Sequence, residues 1–263
     1  SGPHEPILLI PGTDVDPQEF SWNWMPSLKA LGWSYCAVTL PHHTTGDIQI
    51  AGEYVVNAVR TMHARSGGRK VQIVGHSQGG MLSRWSLRFW PDIRPMVDDV
   101  AGMAPSNHGT VIAAPTCIPD CSPSVWQQRD ISIFNQALNS GAETFAGISY
   151  TNVYSRTDEI VVPNADSTCS SSLHTGAGRI TNVAIQEVCP NDLTEHLGIG
   201  TYDNTAYQVI IDSLTHDGPA VLSRVPVTVC ATPLQPGVNK PTFAADYANT
   251  LALLGMNAGS VPH

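Results

Sequence analysis

The sequence has little charge and almost no lysine. Asp, Glu, Lys and Arg make up 13% of 263 residues, lysine occurs only at Lys29, Lys70 and Lys240, and the formal net charge is -9. That balance gives no basic face to a phosphate backbone or an anionic bilayer, so nucleic acid is not an expected partner. Long apolar runs are also missing, which argues against a transmembrane segment. The start Ser-Gly-Pro-His carries neither a charged nor an apolar leader region and reads as a mature form. The six Cys form no CxxC array. With scarce Lys and abundant Pro and Gly, they suggest an exported, extracellular protein with disulfides. Cys117 and Cys121 could close a small loop around Ile-Pro-Asp, and zinc is the weaker reading because no second pair with ligand spacing follows. A hydrophobic fraction of 42% suffices for a sizeable core, and no internal boundary is visible, so one domain over 1–263 is expected.

The stretch KVQIVGHSQGGMLSRWSLRFW, Lys70 to Trp90, holds the strongest signal. Val71, Ile73 and Val74 suit a buried strand, while Leu82, Trp85 and Phe89 recur at helical spacing up to Pro91. Ser77 therefore sits on a strand-to-helix turn. Gly75 and Gly79 bracket it as G-x-S-x-G, the spacing of a nucleophile elbow, which turns sharply and pushes the hydroxyl outward.

Further apolar β-type runs lie at Ile7 to Ile10, Tyr35 to Leu40, Val97 to Met103, Ile148 to Tyr154 and Val183 to Val188. Helical patterns fall between or after them: Trp24, Leu28 and Leu31; Val55, Val59 and Met62; Ile131, Phe134 and Leu138; Tyr207, Ile210 and Leu214. The alternation implies an α/β fold with a doubly wound, mostly parallel sheet. Ligand groups in such sheets gather at the carboxyl ends of the strands, so partners for Ser77 are sought there.

A serine hydroxyl needs a histidine to take its proton, and the histidine needs a carboxylate to fix its tautomer. The chain order Ser, acid, His is met by Ser77, Asp158 and His196. Glu159 is a rival acid that reads as a solvated loop charge, and His216 a rival base that reads as a helix C-terminal residue. His42 and His43 are adjacent and read as loop residues, His63 and His174 as solvated, and His108 as a residue lining the cleft or its rim. Donors for a tetrahedral oxyanion would be the backbone N–H of Gln78 and Thr13 in the Pro-Gly-Thr loop after the first strand. This set calls for no metal and no cofactor.

PILLIPGT, NWMPSLKALGW, EYVVNAV, SQGG, PSVWQQ, TNVYSRTDEIV and the Cys189 region followed by Glu-His resemble the fungal lipase B family and its bacterial relatives, from Pro6 to about Cys230. The resemblance implies an α/β-hydrolase fold and a serine triacylglycerol lipase or carboxylesterase with no cofactor. A lipid or small-ester substrate, a lipid–water interface and a monomeric chain are expected. The resemblance places the triad on Ser77, Asp158 and His196, the oxyanion donors on Thr13 and Gln78, and a disulfide between Cys189 and Cys230. His76 and Ile160 are expected in the substrate pocket. His76 stands where the family has a Trp, so a larger and wetter alcohol pocket is expected. Ser106 replaces an Asp, the tail from Pro241 to His263 is shorter than the family's terminal helix region, and Cys36 lacks its family partner. A small lid is expected around 110–140, stapled by Cys117 and Cys121. A polyester or phospholipid hydrolase with the same triad, or a hydrolase-fold protein that only binds, are the competing readings.

Overall fold

The computed structural model describes residues 4–254. Ser1 to Pro3 of the start read as mature, and the tail beyond Leu254, lie outside them. In chain order the elements are β1 (Ile7–Ile10), α1 (Trp24–Leu31), β2 (Tyr35–Ala37), α2 (Ile48–Arg65), β3 (Val71–His76), α3 (Gln78–Phe89) and β4 (Val97–Met103). After β4 come three short helices, α4 (Ala113–Thr116), α5 (Pro123–Gln127) and α6 (Ile133–Asn139). Then follow β5 (Ser149–Tyr154), β6 (Arg179–Ala184), α7 (Ile185–Val188), α8 (His196–Thr201), α9 (Asn204–Thr215) and α10 (Phe243–Leu253).

The strands form one sheet in the order β2-β1-β3-β4-β5-β6, with every neighbouring pair parallel. Period-two alternation in β1 explains the layering. Leu8 and Ile10 point into a core with Val55, Val59, Leu82 and Trp85 of α2 and α3, whereas Ile7 and Leu9 point into a second core with Trp24, Leu28, Tyr207 and Ile210 of α1 and α9. Helices thus cover both faces, as the alternating pattern implied. Among the described residues no helix is long and apolar enough to cross a membrane.

Several boundaries differ from the sequence reading. The run Val183 to Val188 is not one strand: β6 begins earlier, at Arg179, and ends at Ala184, and Ile185–Val188 form a helical turn. Val183 in the strand and Ile185 in the turn are both buried, so apolarity alone does not distinguish the two states. Strand β2 stops at Ala37 rather than Leu40, and α6 starts at Ile133, leaving Ile131 in the loop before it. Both expected disulfides form, Cys117 to Cys121 and Cys189 to Cys230, while Cys36 is free and exposed and Cys169 free and buried.

Candidate active site

Ser77 occupies the junction of β3 and α3 with φ 52° and ψ -120°, a conformation that costs a non-glycine residue on the order of 1–3 kcal/mol. Its flanking glycines are there for space. A Cβ on Gly79 would lie 2.3 Å from the Ile10 carbonyl oxygen, and one on Gly75 would lie 2.5 Å from the Gly79 carbonyl carbon. The turn can be this tight only because neither has a side chain.

The carboxyl ends of β5 and β6 supply the partners. Asp158 follows β5, and its Oδ2 lies 2.8 Å from Nδ1 of His196, which opens α8. The other carboxylate oxygen accepts the backbone N–H groups of Val161 and Ile160 at 2.8 and 2.9 Å, and Asn164 donates to Oδ2 at 3.3 Å. Burial pushes the Asp158 carboxyl up, but the facing His196 and these donors more than offset it and hold the group below the usual carboxylate range. Asp158 is thus an anion that aims the imidazole. Glu159, expected as a solvated charge, is exposed, yet its Oε2 accepts the His196 backbone N–H at 3.2 Å. Glu195, the residue before His196, caps α8 by accepting from Leu197 and Gly198, each at 2.8 Å.

Ser77 and His196 line one cavity of about 500 Å³. Thr13, Glu19, His76, Gln128 and Glu195 form its polar part, while Ile112, Ala113, Val125, Ile160, Leu251 and Leu254 make most of the rest apolar. A larger groove of about 920 Å³, bordered by Trp85, Phe89, Trp126 and Ile131, contains no member of the Ser-Asp-His set. Thr13 Oγ1 donates to Gln78 Oε1 at 2.8 Å and accepts from Gln128 Nε2 at 2.9 Å, and Ser106 Oγ donates to Gln128 Oε1 at 2.8 Å. This network ties the loop after β1 to the start of α3, whose first N–H groups have no intrahelical acceptor. Ser106 serves here as an anchor for Gln128, the last residue of PSVWQQ.

His76 lines the cavity as expected, but its ring nitrogens face protein: the ring is buried, with Nδ1 against Glu19 Oε1 and Nε2 3.1 Å from the His196 carbonyl oxygen. Its nitrogens are satisfied by protein and need no water. The segment after Pro241 supplies a wall, because Tyr247, Leu251 and Leu254, on α10 and just after it, line the cavity. Elsewhere His108 stands outside the cavity lining and pairs with Glu143 at 2.7 Å, and His216 ends α9 as expected.

An elbow serine between a parallel strand and a helix, with an acid and a histidine delivered by later strand ends, defines the class. The chain belongs to the alpha/beta hydrolase family, whose model matches residues 7–177. Within that class it is similar to lipase B of Pseudozyma antarctica, 39% identical over 197 residues, which covers 74% of this chain and 57% of the relative. A triacylglycerol lipase of Pseudomonas fragi is 26% identical over 110 residues, 41% of this chain and 36% of that one. Among solved structures, Aspergillus fumigatus lipase B superposes with a TM-score of 0.87 at 30% identity, covering 95% of this chain and 62% of that one. The chain therefore spans less than two thirds of the length of these relatives.

Proposed function

We propose that this chain is a secreted serine carboxylic-ester hydrolase of the lipase or esterase type. The observation that carries the reading is the 2.8 Å contact of His196 with a buried Asp158, set beside the cavity that Ser77 enters from its elbow. With Nδ1 held by Asp158, Nε2 of His196 is the nitrogen left to take the Ser77 proton. Ser77 Oγ attacks the ester carbonyl carbon, the proton moves to His196, and the carbonyl oxygen becomes an oxyanion that receives N–H donation from Gln78 and Thr13. Collapse breaks the bond to the alcohol oxygen, which takes the proton from His196. Water then repeats the sequence on the acyl-enzyme and releases the acid.

The apolar lining favours a substrate with an acyl chain, and Ile112, Ile160, Leu251 and Leu254 remain partly exposed at the cavity, where a lipid surface would meet them. Residues 110–140 serve as a small lid over a single domain, contributing Ile112, Ala113, Val125 and Gln128 and stapled by Cys117 and Cys121. The two disulfides fit an oxidising, extracellular compartment. A fluorophosphonate probe tests the reading: covalent mass on Ser77, lost in Ser77→Ala together with hydrolysis of p-nitrophenyl esters, is expected. An unlabelled, inactive wild type would leave a binding protein in its place. A panel of esters from acetyl to palmitoyl then assigns acyl-chain preference.

A further inference from the structure

Beside the proposed triad, at the wall of the same cavity, lies a second buried imidazole–carboxylate pair. Glu19 is fully buried in the turn after β1, and His76 is buried at the end of β3, immediately before Ser77. Their contact, Nδ1 to Oε1, spans 57 residues of sequence. The other Glu19 oxygen accepts the Gly12 N–H at 3.1 Å, next to Thr13. The other His76 nitrogen lies 3.1 Å from the backbone oxygen of His196, and the two rings are 4.9 Å apart. Four polar positions on two side chains are thus spent on joining three segments: the oxyanion loop, the elbow strand and the helix that carries the base.

The surroundings are shaped to this pair. A Cβ on Gly200 would fall 2.4 Å from the His76 ring, and one on Gly12 would fall 3.1 Å from its Nδ1. Thr44 donates its hydroxyl to the Gly12 carbonyl, so the loop is gripped on both its N–H and C=O sides. The chemistry also determines the proton count. A carbonyl oxygen only accepts, so Nε2 must carry a hydrogen, and Nδ1 and Oε1 must then share one proton between them. Whether that proton rests on nitrogen or oxygen, the pair is neutral overall and fully hydrogen-bonded, which is how two such groups can be buried.

The geometry points to Glu19 and His76 as positioning residues for ester hydrolysis, a brace that holds the oxyanion loop and the His196 backbone in register with Ser77. This rests on the reading of the site as an ester hydrolase. Neither side chain is asked to exchange a proton with substrate. Misplacing reacting groups by about 1 Å costs on the order of a hundredfold in rate, so loosening the brace should act on kcat rather than KM.

The test compares Glu19→Ala with Glu19→Gln in the full chain, well below the melting temperature of each. Glu19→Ala removes the acceptor for Gly12 and the partner of His76, and should lower kcat by roughly ten- to a hundredfold with KM little changed. Glu19→Gln keeps an acceptor for Gly12 and offers an amide N–H to Nδ1, so it should regain most of that loss. A purely structural role would lower the melting temperature of Glu19→Ala and leave its kcat alone. Proton NMR supplies a readout that needs no activity: a far-downfield ring proton, present in wild type and Ser77→Ala and absent in Glu19→Ala, is expected. The inference is overturned if that signal is missing in wild type, if Glu19→Ala keeps wild-type kcat, or if Glu19→Gln is as impaired as Glu19→Ala. Absence of any labelling or hydrolysis in wild type would instead sink the hydrolase reading, and the ring proton would still decide whether the brace exists.

Discussion

Tyr247, on α10, donates its hydroxyl to Oε1 of Glu195 at 2.9 Å. Glu195 caps α8 and also accepts from Tyr202 at 3.2 Å, so the helix that walls the cavity is tied to the residue preceding His196. Tyr247→Phe removes one of several donors and should cost about 1 kcal/mol of stability. Because Leu251 and Leu254 lie farther along the same chain segment, KM for long-chain p-nitrophenyl esters should rise while acetyl ester hydrolysis stays close to wild type. Equal effects on both esters would mean that the contact does not set the position of the wall.

Asp158 and Glu159 are neighbours with different tasks under the proposed mechanism. Asp158 faces the ring Nδ1 of His196, and Glu159 only its backbone N–H. Asp158→Asn should lower kcat by orders of magnitude, about ten-thousandfold in the comparable serine-protease case, with little change in KM. Glu159→Gln keeps an acceptor for the N–H and should lose far less. Steady-state kinetics on one ester ranks the two, and the reverse order would reassign the acid.

The pH dependence of stability follows from two buried acids. Burial, then the neighbouring Asp192, pushes Asp203 up to about 8, and burial pushes Asp99 up to about 7 despite its bond from Gln72. Each ordinarily titrates at 3.8, so between that value and the raised one the folded chain binds protons that the unfolded chain has lost. Stability should therefore fall as pH rises from about 4 to 8 and level off above. His76 acts with the same sign: burial pulls its pKa down, but Glu19, the His196 carbonyl and Asp158 together more than offset this and raise it, so its contribution also fades as pH rises. Asp203→Asn keeps an acceptor for the Ala206 N–H at the start of α9 and removes the charge, so its melting temperature should decline less from pH 5 to 8. Parallel declines in both proteins would exclude Asp203 as the source.

His76→Trp, which restores the residue type of the resembling lipases, should not yield a more selective enzyme. Gly200 and Gly12 close on the imidazole, and replacing it strands Glu19 as a buried, unpaired carboxylate. Losing one partner of such a pair costs about 3–5 kcal/mol, or roughly ten degrees in melting temperature for a chain of this size. Thermal unfolding together with the enantiomeric ratio on 1-phenylethyl esters checks this. A stable variant with a raised ratio would show that the ring shapes an alcohol pocket after all.

The parts of this molecule that could be read before folding are those whose causes are local. The β-branched run, the two glycines around Ser77 and the helical spacing after it are neighbours in the chain, so the elbow was visible in one short stretch. Alternation of strands and helices implied the parallel sheet, and the strand-end rule brought Asp158 and His196 forward although 38 residues separate them. Other features depended on contacts that only the folded chain makes. Nothing in Asp-Pro-Gln-Glu-Phe marks Glu19 as more than a turn carboxylate; packing buries it against His76. Gln128 acquired its place through Thr13, Gln78 and Ser106, and Tyr247 through Glu195. In each case the side chain's polarity was plain, but its partner was remote. Burial makes that partner decisive, because a polar group taken out of water must find its hydrogen bonds in whatever the tertiary fold sets beside it.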